Sequence, residues 1–105
     1  MKLILSALLG MAMCANVYAY TWSKTTTVKV VEASYIPAIV TFQVTDHPSD
    51  CINTLWLTWA TRGKTETQRI ANANGIYASL MAAQALGRTI TIFGSSCNVE
   101  FINLN

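Results

Sequence analysis

Charge is what this chain has least of. Only 7 Lys/Arg and 5 Asp/Glu occur among its 105 residues, a net charge of +2 with the single histidine neutral. A balance so near neutral excludes the concentrated basic face of a sequence-independent nucleic-acid binder. One histidine and few acids also leave little material for general acid–base catalysis. No Gly-x-Ser-x-Gly elbow presents a nucleophilic serine. Beyond residue 19 no stretch is long and apolar enough to span a bilayer. Internal repeats, low-complexity tracts and Asn-x-Ser/Thr sequons are missing too. The length suits one compact domain.

Apolar residues are plentiful, at 52%, and unevenly placed: 15 of the first 19 residues are apolar. Met1-Lys2 forms a positive n-region, Leu3 to Ala15 an apolar h-region, and Val17-Tyr18-Ala19 ends on the small residue that signal peptidase needs. This pattern predicts a signal peptide over 1–19, cleaved near Ala19, and a secreted or periplasmic domain over 20–105. A membrane anchor needs a longer run than Asn16 allows. Met13 is too large for the position before a lipidated Cys14. Cleavage would remove Cys14 and leave Cys51 and Cys97, an even pair that reads as one disulfide in an exported chain.

The remaining residues alternate with period two in several places. Thr25 to Ser34 is rich in Thr and Val, with Val28 and Val30 on one face. Tyr35-Ile36-Pro37 interrupts that strand, and Ala38 to Thr45 starts another with Val40, Phe42 and Val44 on one face and Thr41 and Gln43 on the other. Ile52 to Thr61 reads as a third strand with Leu55, Leu57 and Trp59 on one face. Arg62 to Arg69 reads as a polar loop or strand extension. From Asn74 the period lengthens to three and four, predicting a helix of about three turns. Asn72 or Asn74 would cap it, Gly87 would end it, and Ile76, Tyr77, Leu80, Met81 and Ala83 would face the core. Arg88 to Phe93 and Cys97 to Leu104 return to strand periodicity around a Gly94-Ser95-Ser96 turn. The order β-β-β-α-β-β predicts a mainly β, OB-fold-like five-stranded barrel, with a two-layer α+β sandwich as the rival.

Chemistry-bearing residues are few. His47 lies between Asp46 and Asp50 in the loop DHPSD, too few ligands for a zinc site once both cysteines are paired. That loop reads first as a solvated turn. Gly63-Lys64-Thr65 lacks the phosphate-binding loop's earlier glycine, because Thr58 stands there. Trp56 and Trp59 point to opposite faces of one strand. With Trp59 in the core, Trp56 is either an outward residue for a sugar ring or subunit interface, or is covered by neighbouring chain. No cofactor and no metal are expected.

The run NGIYASLMAAQALGRTITIFGSSCNVEFINLN carries Tyr77-Ala78-x-Leu80-x-x-Ala83, then Gly87-Arg88, an apolar strand, Gly94, Cys97 and a last apolar strand. With Trp22 and Cys51, this pattern resembles small exported bacterial proteins whose fold is similar to AB5 toxin B subunits of the subtilase-cytotoxin and typhoid-toxin group. The resemblance implies a non-enzymatic OB-fold subunit that forms a homo-oligomeric, pentameric ring, binds a sialylated glycan and accompanies an exported enzyme subunit. No residue here aligns with the glycan-contacting serine of that group, and the chain is shorter. Trp56, Asp46, His47, Arg62 and Lys64 are the candidate contacts, within the loops Asp46–Asp50 and Arg62–Thr67. The competing expectation is a monomeric periplasmic protein-interaction or inhibitor module.

Overall fold

A computed structural model describes residues 20–105. The expected signal peptide, with Cys14, lies outside the described residues. Five strands and one helix follow in order: β1 (Trp22–Glu32), β2 (Ile39–Val44), β3 (Leu57–Ala60), α1 (Glu66–Leu86), β4 (Thr89–Ser95) and β5 (Asn98–Leu104). The sheet runs β1-β2-β3-β5-β4 and returns to β1, so it closes in a ring. All neighbours are antiparallel except β3 and β5, which are parallel and meet at one pair, Thr58 with Asn98. Beside that pair the Thr58 N–H donates to the Cys97 carbonyl at 2.9 Å.

Alternation builds the core. Val40, Phe42 and Leu57 from β2 and β3 are fully buried, and so are Ile90 and Ile92 from β4. Leu80 of α1 joins the same cluster, as does Trp59 of β3 at 5% exposure. Burying each large apolar side chain contributes about 1.5–3 kcal/mol before entropy is counted. Gly94 is required where β4 passes between β1 and β5: a Cβ there would collide with the Trp22 indole and the Asn98 carbonyl.

Several expectations need correction. β1 begins at Trp22 rather than Thr25. Between Val28 and Val30 its register against β2 slips, with Val28 opposite Val44 but Val30 opposite Gln43. An extra residue reverses the alternation that follows. Val30 is therefore 37% exposed, and Val31 packs on the core instead. β3 starts at Leu57, not Ile52, leaving Leu55 57% exposed. The residues before it are held in turns: the Cys51 N–H donates to the Pro48 carbonyl at 3.2 Å, and the Trp56 N–H donates to Thr54 Oγ1 at 3.1 Å. Local side-chain bonds of this kind compete with a strand ladder.

The helix is the largest correction. It spans 21 residues and starts at Glu66, inside the segment read as a loop or strand extension. Thr65 caps it, its Oγ1 accepting the Gln68 N–H at 3.2 Å. Gln68 Oε1 reaches back to accept the Lys64 N–H at 2.7 Å. This Thr-x-x-Gln arrangement satisfies two backbone donors, those of Gln68 and Lys64, and competes successfully with a later start at Asn72 or Asn74. Asn72 instead stands inside the helix, with Oδ1 accepting from Trp59 Nε1 at 2.9 Å and from the Arg62 N–H at 3.0 Å. Gly87 ends α1 in the left-handed conformation, at φ 62°. Ala73, Leu80 and Ala83 are buried, with Ile76 partly so, whereas Met81 is 39% exposed one position beyond that stripe. No helix among the described residues is long and apolar enough to cross a membrane.

Cys51 and Cys97 form the disulfide, with Cα atoms 4.7 Å apart and 46 residues of sequence separation. Cys97 immediately precedes β5, and Cys51 lies six residues ahead of β3. Closing a loop of that length restricts the unfolded chain by roughly 4 kcal/mol on the chain-entropy account. Replacing both cysteines by alanine should lower the unfolding free energy by about that amount, read from urea titrations followed by tryptophan fluorescence. A loss under about 1 kcal/mol would show that the seam closes without it. Thr65→Ala should cost about 1 kcal/mol in the same assay through loss of the cap.

Candidate binding surface

The loop Asp46–Asp50 is structured by contacts that take its polar groups away from one another. Thr26 Oγ1 accepts the Asp46 N–H at 2.9 Å, and the Asp46 carboxylate turns to Lys24 Nζ at 3.5 Å. That ion pair is solvent-exposed and contributes little. His47 is half-buried and turns the other way, its Nε2 donating to the Cys51 carbonyl at 2.7 Å. Nδ1 is then the acceptor nitrogen, and it is buried with no partner. Pro48 beside it is fully buried. Thus the histidine joins the loop to the disulfide and makes no hydrogen bond to either flanking carboxylate. Among the described residues no three His, Cys, Asp or Glu side chains gather as metal ligands.

Trp56 is half-buried, with its backbone carbonyl 4.0 Å from Cys51 Sγ. A disulfide sulfur carries no proton, so this is a packing contact. The Trp56 backbone and the His47 ring thus both reach Cys51, one at its sulfur and the other at its carbonyl.

Arg62 and Lys64 lie elsewhere, on the chain leading into α1. The Arg62 guanidinium sits 4.2 Å from the Trp59 ring centroid and 5.7 Å from that of Phe101. It donates to the Glu100 carbonyl and lies 3.4 Å from Glu100 Oε2. A cation over an indole face gains from the ring quadrupole in addition to its hydrogen bonds. Arg62 thus packs across the gap between β3 and β5. Lys64 is exposed, and the hydrogen bond it makes to the cap is through its backbone.

A third surface combines residues that were not among the candidates. On β4, Ile90, Ile92 and Gly94 point inward, so Thr91 and Phe93 point outward. Register sets Phe93 opposite Phe101 and Thr91 opposite Asn103. Tyr20 meets the edges of both phenyl rings, at 5.2 Å and 6.1 Å between centroids. These three rings and Asn103 line a shallow hollow of about 230 Å³. The outward parity of Phe93 was readable from Ile90 and Ile92. Its partner was not, because the β4–β5 register shifts between Phe93 and Gly94.

His47→Ala should remove the bond to the Cys51 carbonyl and leave that buried acceptor without a partner. The expected loss is about 1–3 kcal/mol. Asp46→Asn should change stability by less than about 0.5 kcal/mol, because its ion pair is exposed. Thermal unfolding of both variants checks the contrast, and equal losses would count against the assigned roles.

No protein family, no curated protein and no solved structure matches this chain. What it does is therefore read from its own residues and their arrangement.

Proposed function

We propose that this chain is an exported, non-catalytic binding domain of the OB-fold class that assembles as a ring of identical copies and binds a glycan, in the manner of AB5 toxin B subunits. The closed strand order β1-β2-β3-β5-β4, with α1 between β3 and β4, supports the fold assignment. The disulfide supports an oxidising compartment. Binding rather than catalysis is supported by His47, whose Nε2 is committed to a backbone carbonyl.

The observation that carries the assembly is the outer face of α1. Its only charged residues are Glu66 and Arg69, both at its start. A helix bordering solvent normally sets charged or polar residues opposite its buried stripe. Here Ile70 is 40% exposed, Met81 39% and Leu86 70%, and Ala71, Ala78, Ala82 and Ala85 are also exposed. Small side chains beside large apolar ones let a second helix approach closely, and the desolvated area favours association.

A second feature has the same consequence. The Asn105 N–H donates to the Thr89 carbonyl, and by strand parity the backbone of Ile102 and Leu104 then faces away from β4. On that side β3 pairs only with Asn98. An edge open on one copy and an apolar helix beside it make a head-to-tail contact that closes by rotation.

Light scattering behind a sizing column tests the reading on the oxidised protein. The expected mass is five times that of the secreted chain, and Met81→Glu, at an exposed position, should yield folded monomer. A wild-type monomer at working concentration overturns the ring and leaves a monomeric protein-interaction module as the reading.

A further inference from the structure

We infer that the outward face of β4 and β5 is a binding site for a neutral hexopyranose, received against the rings of Phe93 and Phe101 with the Asn103 amide at its rim. This rests on the binding-domain reading above and names its ligand class and surface. Phe93 and Phe101 are directly opposite one another on the outside of the sheet, with centroids 6.4 Å apart and planes at 77°. Phe101 is 43% and Tyr20 40% exposed, so aromatic surface remains open to solvent after the rings have packed on each other. A contiguous aromatic hollow with few polar groups at its edge is the usual composition of a small-ligand site.

Three further observations narrow the ligand. The first is polar. The Asn105 amide is used by Thr89 and Thr91, at 3.2 Å and 3.1 Å, and the Thr91 hydroxyl is shared with Thr25 at 3.0 Å. Asn103, in the lining of the hollow, has no such bond among the described residues, so its amide offers both a donor and an acceptor. The second is charge. Tyr20, Phe93, Phe101 and Asn103 are uncharged side chains, and the cation next to Phe101, Arg62, is held by Glu100 and the Trp59 ring. The lining side chains therefore favour a neutral ligand; cleavage near Ala19 would leave an α-ammonium on the Tyr20 main chain, and the anionic comparator in the test reads whether that charge selects the ligand. The third is backbone. Phe93 is paired on one side with Ser23 and on the other with Phe101, so an extended peptide has no edge to join at this point. A hexopyranose meets all three conditions: its ring has a C–H-bearing face for the aromatic rings and a rim of neutral hydroxyls for the amide.

The test is an NMR titration of the oxidised protein, expressed from the full chain and exported. The probes are methyl β-D-galactopyranoside, methyl β-D-glucopyranoside and, as the anionic comparator, N-acetylneuraminic acid. Saturable shifts of the Asn103 side-chain amide and of the Phe93 and Phe101 ring signals are expected with at least one neutral glycoside, at millimolar concentration. Phe101→Ala should weaken that binding about tenfold or more, Phe101→Trp should retain it, and Asn103→Ala should weaken it without lowering the unfolding temperature. Trp56→Ala should leave it unchanged. Shifts confined to Trp56 and the Asp46–Asp50 loop would overturn this site while sparing the binding-domain reading. Shifts at the patch with N-acetylneuraminic acid alone would overturn the neutral class. No shift with any probe overturns the inference, and the mass measurement then judges the assembly reading separately.

Discussion

The structure depends on how its sheet is closed. Four of the five contacts between neighbouring strands are ladders of four to six paired positions, and the fifth, β3 to β5, is one parallel pair. Parallel pairing with so few hydrogen bonds is a weak seam. The Cys51–Cys97 disulfide lies next to it, since Cys97 supplies the carbonyl that receives the Thr58 N–H. His47 bonds to the Cys51 carbonyl, and the Arg62 guanidinium covers the Glu100 carbonyl further along the same gap. A covalent bond, a half-buried histidine and a cation over an indole therefore act where backbone pairing is least. In a domain of this size the cross-link is a large share of net stability.

Closure also explains what the helix does and what it leaves undone. α1 packs on β1 and β2 through Ala73, Ile76, Leu80 and Ala83. Asn72 ties it to both Trp59 and the Arg62 backbone, so its start is fixed to the end of β3. That stripe uses one side of a long helix. The opposite side is nearly free of charge, which a chain with 12 charged residues in 105 has little means to avoid. An uncharged outer helix face and an open strand edge on one small domain favour self-association by the same physics that formed the core.

Legibility in the sequence followed the range of the interaction. The strands β2 and β4 were readable because Val40, Phe42 and Val44, and likewise Ile90 and Ile92, alternate without interruption. The Gly87 stop was readable because only a left-handed residue fits there. Thr65-x-x-Gln68 was equally local, but the polar composition of Arg62–Arg69 concealed it, and the helix start was placed too late. Alternation alone puts Val30 on the face of Val28 and Leu55 on that of Leu57, because neither a register slip nor an Asp46–Trp56 segment held by turns shows in it. For the binding surface, the candidates Asp46, His47, Arg62 and Lys64 are spent largely on structure. The aromatic patch arises from Phe93 and Phe101, eight residues apart in the chain and joined only by register.

By itself the sequence determined the inventory: over residues 20–105 a mostly β domain with one helix and one disulfide, and over the whole chain a single histidine and very little charge. Those follow from composition and from patterns within a few residues, where side-chain period and backbone preference are decided locally. Tertiary structure decided which strands became neighbours, that they return to β1, and which side chains outside the core meet. Such pairings depend on bulges, on the Cys51–Cys97 bond and on the summed burial of Phe42, Leu57, Leu80, Ile90 and Ile92, and each of these acts between residues far apart in the chain. One slip in register moves a side chain from core to solvent, so the surface of this protein is a property of its closed sheet.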